Sequence, residues 1–317
     1  MTNQELGVRL QSLPRQWLYL ILLVVSTVPL FITLKIPNTP DPSSIALYAQ
    51  LMSIKPGSTV LVSSDWTNST RGESKSEFDA IMKILMRRKI KAVIYSIADP
   101  QAPQVAKDEI SELNQLNQSQ HLPEYQQWTD WVSAGYFSNG DGTAEAMLGS
   151  LHKAFEGKKD VDLQGKLTDI FQSPVLKGID SLNQVPALID ITGSSTTVTY
   201  VQKLNHAVKL LFAVTGVMGP EALPYFESNQ SKGLAIGIKG SYDLETLMEY
   251  GVNEPDKHGK IMVRSSTYGA IPGFPGLDNF AQGSKYYPAL NAALAIMILA
   301  VIVGNIGMFL SKGGRRS

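Results

Sequence analysis

Two long stretches without a charged residue, one near each end of the chain, constrain the fold more than any other feature. Residues 17–34 read WLYLILLVVSTVPLFITL and residues 287–310 read YPALNAALAIMILAVIVGNIGMFL. Runs of about 20 apolar residues match the hydrocarbon thickness of a bilayer. Trp17, Tyr19 and Lys35 flank the first, while Tyr286, Tyr287, Lys312, Arg315 and Arg316 flank the second, as interfacial anchors do. Both runs are therefore expected to be single transmembrane helices. No small-residue cleavage site follows the first, only Lys35-Ile36-Pro37-Asn38-Thr39-Pro40, so a removed leader is not the reading. Everything else must fold between the two spans. The expected organisation is a tail (1–16), a span (17–35), a central domain (36–285), a second span (286–310) and a short tail (311–317).

Cations set the orientation. Arg9 and Arg15 precede the first run and Lys312, Arg315 and Arg316 follow the second, whereas only Lys35 and Lys285 lie on the inner flanks. Positive flanks stay in the cytoplasm, so both termini are expected there and the central domain outside, in a prokaryotic inner membrane. The sequons at Asn68, Asn117 and Asn229 are then not glycosylated. Across the whole chain Lys plus Arg equal Asp plus Glu at 28 each, so no basic field exists to hold nucleic acid. The absence of cysteine removes disulfide, thiolate and metal–thiolate chemistry together.

Between the spans, short continuous apolar runs at 59–63, 91–97, 187–191, 209–214 and 233–238 alternate with amphipathic segments at 74–88, 101–116, 196–206, 220–228 and 241–250. Such runs suit strands covered on both faces, and the alternation predicts an α/β fold: a doubly wound, mostly parallel, Rossmann-like sheet. Residues 119–185 break the rhythm and read as an insertion, with a helix over 143–155, one further strand near 131–137 and a solvated charged stretch at 156–162. Segments rich in Pro and Gly at 37–42 and 268–284 read as hinges.

Ligands of doubly wound sheets bind beyond the carboxyl ends of the strands. The candidate ligand-binding residues there are Asp65, Thr67, Asn68, Arg71, Asp99, Asp190, Ser194 and Thr215. Asp65 and Asp190 could form a carboxylate pair, and the loop carrying Asp65 and Arg71 is the best single candidate. The same residue types also cap helices and close strand–helix turns, so a purely structural role stands beside the functional one. No G-x-G-x-x-G follows the first strand, no phosphate loop or G-x-S-x-G elbow is present, and His121, His152, His206 and His258 lack metal-ligand spacing. The sequence names no cofactor and no metal. On the second span, Ala293, Ala300 and Gly304 form a small-residue helix face suited to self-association.

The stretches Pro56-Gly57-Ser58-Thr59-Val60-Leu61-Val62-Ser63, Ala98-Asp99-Pro100-Gln101-Ala102-Pro103, Ala187-Leu188-Ile189-Asp190, Ala213-Val214-Thr215, Pro224-Tyr225-Phe226 and 233–245 resemble a family of prokaryotic membrane proteins with one helix at each end and an α/β domain between. The resemblance implies that fold and topology, and carries no activity. Three functions follow as expectations. The first is a non-enzymatic, membrane-anchored subunit that assembles with itself or with other membrane subunits. The second is a solute-recognition module like a periplasmic binding protein. The third, least supported, is an Asp65–Asp190 hydrolase.

Overall fold

The computed structural model describes residues 3–12, 14–32, 36, 38–255, 261–264 and 282–313. The chain forms two compact units: residues 1–37, 278–280 and 284–317 make one, and residues 38–277 with 281–283 make the other. The first unit opens with helices α1 (Asn3–Gln11) and α2 (Arg15–Phe31). At 1.5 Å per residue the 17 residues of α2 span about 25 Å, short of the about 30 Å of a bilayer core. Pro29 in its last turn removes an amide donor, and the backbone is extended by Ile32. The expected span over 17–35 is thus not supported as a single helix. Only α1 and α2 together reach the length, and they are bent by 60°. Lys35 lies outside the described residues.

The second unit runs α3 (Pro42–Ser53), β1 (Thr59–Asp65), α4 (Arg71–Arg87), β2 (Lys91–Ser96), α5 (Ala102–Ser119), β3 (Trp131–Tyr136), α6 (Gly140–Gly149) and α7 (Leu151–Ala154). It continues through β4 (Lys159–Val161), β5 (Leu167–Asp169), β6 (Leu188–Thr192), α8 (Thr196–Leu204), β7 (Leu210–Val214), α9 (Gly219–Glu227), β8 (Gly233–Ile236) and α10 (Gly237–Tyr250). A short antiparallel pair, β9 (Asn253–Pro255) and β10 (Ile261–Arg264), follows. Six strands form one sheet in the order β3-β2-β1-β6-β7-β8, every neighbouring pair parallel. Apart from the β4–β5 hairpin this is the 3-2-1-4-5-6 order of dinucleotide-binding folds, whose direction of winding reverses between the first and fourth strands.

Both faces of the sheet are covered. Leu47 and Leu51 of α3, Phe78, Ile81 and Leu85 of α4, Ile110 of α5 and Leu244 and Met248 of α10 pack on one face. Met147 of α6, Leu151 of α7, Tyr200 and Leu204 of α8 and Ala222 of α9 pack on the other. That two-sided burial is why strands such as Leu210-Leu211-Phe212-Ala213-Val214 read as unbroken apolar runs.

Four local expectations need correction. Residues 119–185 are not simply an insertion, because β3 within them is an edge strand of the main sheet. The helix over 143–155 is two helices, broken at Ser150, whose side chain accepts from Lys153 N and caps α7. The strand over 233–238 stops at Ile236, because Gly237, at φ 57°, turns the chain straight into α10. The stretch 156–162 is not uniformly solvated: Asp160 is buried and accepts from Ser133 N (2.8 Å), Gln127 Nε2 (2.7 Å) and Val161 N (2.8 Å).

The chain's last helix, α11 (Gln282–Gly313), has 32 residues. Its stretch Gln282–Ser311 is, among the described residues, the one helix long and apolar enough by itself to cross a membrane. Inside the first unit the end of α11 meets α1 where both carry glycine. A Cβ on Gly7 would lie 2.8 Å from the carbonyl oxygen of Gly307, and Gln11 Nε2 donates to Ser311 Oγ at 2.9 Å. Most of the 268–284 hinge, with Arg315 and Arg316, lies outside the described residues.

Candidate functional site

The centre of the site follows from strand register. In β1, alternate residues Leu61, Ser63 and Asp65 face the α6–α9 layer. Pairing sets Ser63 beside Tyr95 of β2 and beside Asp190 of β6. Asp65 and Asp190 thus stand on one face of adjacent strands, across the point where the winding reverses, and their carboxyl groups are within hydrogen-bonding reach of each other. Both are buried, at 3% and 0% exposure.

Their surroundings differ sharply. Asp65 accepts from Ser63 Oγ through Oδ2, and from Ser96 Oγ (2.6 Å), Ile97 N (2.7 Å) and Ala98 N (3.0 Å) through Oδ1. Asp190 accepts only from Thr196 Oγ1 (2.9 Å) through Oδ2, and its Oδ1 meets no donor. Burial pushes both carboxyls up from the ordinary range; for Asp190 the shift is larger, with the charge of Asp65 adding to it. Asp65 is thus rich in donors and Asp190 poor in them. The hydroxyl of Tyr200 sits 2.6 Å from Ser63 Oγ and 3.1 Å from the hydroxyl of Tyr95, extending the network under the aromatic cluster Tyr95, Phe137 and Phe155. Burial raises both phenols as well. Neither aspartate caps α4 or α8, which start at Arg71 and Thr196, but Asp65 closes the turn after β2 through the amides of Ile97 and Ala98, a structural role that stands beside any functional one.

Directly above the pair lies an open crevice of about 350 Å³, lined by Ile97, Ser138, Asn139, Gly140, Asp141, Ser194, Ser195, Thr196 and Thr199. Ile97 and Thr196 belong to both layers, since they bond to the aspartates below and line the crevice above. The N-termini of α6 and α8 both open here. Asp141 in the first turn of α6 accepts from Thr199 Oγ1 of α8 at 2.8 Å and ties the two helices together. Hydroxyls and amide groups therefore predominate, with one carboxylate.

The remaining candidates fall elsewhere. Arg71 reaches Asn68 Oδ1 (3.4 Å) and turns towards α5, pairing with Glu109 at 2.7 Å. Thr67 meets Ser69 at 3.1 Å, and Asp99 accepts from Gln101 N at 2.7 Å in the turn before α5. Thr215 is buried after β7, its amide bonded to Thr192 O. Ser194 alone of these lines the crevice. In place of a phosphate, the N-terminus of α4 has Glu73 in its own first turn, where Oε2 accepts from Gly216 N at 2.6 Å. A pyrophosphate at this position, the usual one in dinucleotide folds, would meet that carboxylate. On the same side of the sheet, burial holds Glu77 well above the carboxylate range and pushes Asp79 up to about 6 against the pull of Lys83 and Lys75.

Of the α11 residues singled out for association, Ala300 is exposed and a Cβ on Gly304 would meet nothing within 4 Å. Comparisons with protein-family models, with curated proteins and with solved structures find no match to this chain.

Proposed function

We propose that the chain is a membrane-anchored α/β domain that recognises a small, hydroxyl-rich, uncharged solute in the crevice over Asp65 and Asp190. The crevice carries this reading: about 350 Å³ of polar-lined space at the reversal point of a doubly wound sheet, where such folds take their ligands. Its hydroxyls, amides and single Asp141 suit sugar hydroxyls. α11 is the anchor, and α2, which exposes Trp17, Tyr19, Leu23 and Phe31, enters the same bilayer, with both termini cytoplasmic and the domain outside a prokaryotic inner membrane. The hydrolytic reading has little behind it, because both aspartates are sealed below Ile97 and Thr196.

The test is native mass spectrometry of the full chain in mild detergent, offered a panel of sugars and polyols. Retained solute in the wild type that is lost in Ser195→Trp, which fills the crevice, supports the reading. Equal retention in both proteins, or none in either, overturns it. A second reading, a subunit that assembles with copies of itself or with other membrane proteins, is favoured by the uncovered surface at Gly304 of α11.

A further inference from the structure

We propose that Asp65 and Asp190 hold one proton between them as a latch on the first turn of α8, and that loss of this proton loosens that turn and the crevice floor it forms. The geometry points this way from the hydrogen-bond inventory alone. Four donors converge on Asp65 and one on Asp190, so a single proton shared between them satisfies Asp190 Oδ1 and leaves one negative charge in the network. Removing the proton puts two carboxylates side by side in a protein interior, where like charges cannot both be held without water.

The groups facing the pair are Ser63 from β1, Tyr95 and Ser96 from β2, and Thr196 and Tyr200 from α8. The two tyrosines are the only other titratable members, and among the described residues no cation acts on either carboxylate. The pair therefore has no internal counter-charge. Asp65 is fastened by the main-chain amides of Ile97 and Ala98. Asp190 is fastened only by Thr196, the first residue of α8, and that is the side able to give. Thr196 and Ile97, which bond to the pair, also line the crevice. The same proton then decides whether α8 lies closed over the sheet. The proposal rests on the buried pair and holds whether or not a solute occupies the crevice.

Hydrogen exchange on the full chain in detergent tests it, read at the amides of residues 198–200 from pH 5 to pH 9 and corrected for intrinsic exchange. One linked proton requires wild-type protection there to fall tenfold per pH unit for as long as the closed turn holds a proton that the opened pair releases. In Asp190→Asn, whose amide donates to Asp65 at every pH, protection stays level. Parallel profiles in the two proteins overturn the proposal. Should the variant not fold, infrared spectroscopy of Glu77→Gln, which removes the other strongly raised carboxyl, decides: a protonated-carboxyl band present at pH 7 and lost in alkali, together with the loss of protection, supports the latch. Absence of that band at pH 7 overturns it.

Discussion

Replacing Asp190 by asparagine should make the protein more stable at neutral pH, and by an amount that grows with pH. In the unfolded chain both aspartates ionise near pH 3.9, whereas the folded pair keeps a proton because burial raises both groups and the charge of Asp65 raises Asp190 further. The folded state therefore binds more protons than the unfolded state above about pH 4, so wild-type stability falls as pH rises from there. The slope is about 1.36 kcal/mol per pH unit for as long as the fold holds that proton, giving up to about 4 kcal/mol between pH 4 and pH 7. Asparagine keeps both bonds, since its amide can donate to Asp65 while its oxygen accepts from Thr196, and it needs no proton. Glu77 and Asp79 are also raised, but they add the same slope to both proteins and cancel in the difference. The assay is denaturant unfolding of the full chain in detergent at half-unit steps from pH 4 to pH 8. Thermal midpoints should diverge in parallel by roughly 2–4 °C per kcal/mol for a domain of this size. A constant difference between wild type and variant across that range would mean that the pair carries no shared proton.

Topology and association can be tested on the same cysteine-free background. Cysteines placed singly at Ser228, exposed at the end of α9, and at Ser317 should react with an impermeant maleimide on intact cells at 228 and not at 317; the opposite pattern refutes the orientation. If copies associate through α11, the double change Ala300→Leu and Gly304→Leu should separate the helices and lose packing worth about 1–2 kcal/mol, seen as a shift towards monomer in detergent. An unchanged distribution of oligomers removes α11 as the contact.

Five of the six main strands were legible because burial on both faces leaves unbroken apolar runs. β3 was harder to place: it lies at the sheet edge, carries Ser133, and shifts register opposite Ile94 and Tyr95, with Gly135 at φ 70°. Asp65 and Asp190 were recognisable as strand-end carboxylates. The apolar run of β1 suggests an end at Ser63, yet pairing continues to Asp65 against Thr192, which turns a loop residue into a buried one. Tyr95, Ser63 and Tyr200 carried no local mark, because their partnership exists only once β1, β2, β6 and α8 are side by side. Tyr200 reads in sequence as one more apolar position on a helix. At the amino end, hydropathy registered the apolar run but not the end of its helix at Phe31.

Asp160 has a bearing on how copies of this domain could meet, because an open sheet margin offers its backbone for pairing with a neighbour's. Asp160 occupies the amide of Ser133 on β3 with a buried carboxylate, an acceptor that offers no hydrogen in return. A neighbouring backbone would therefore find that amide of the margin already taken.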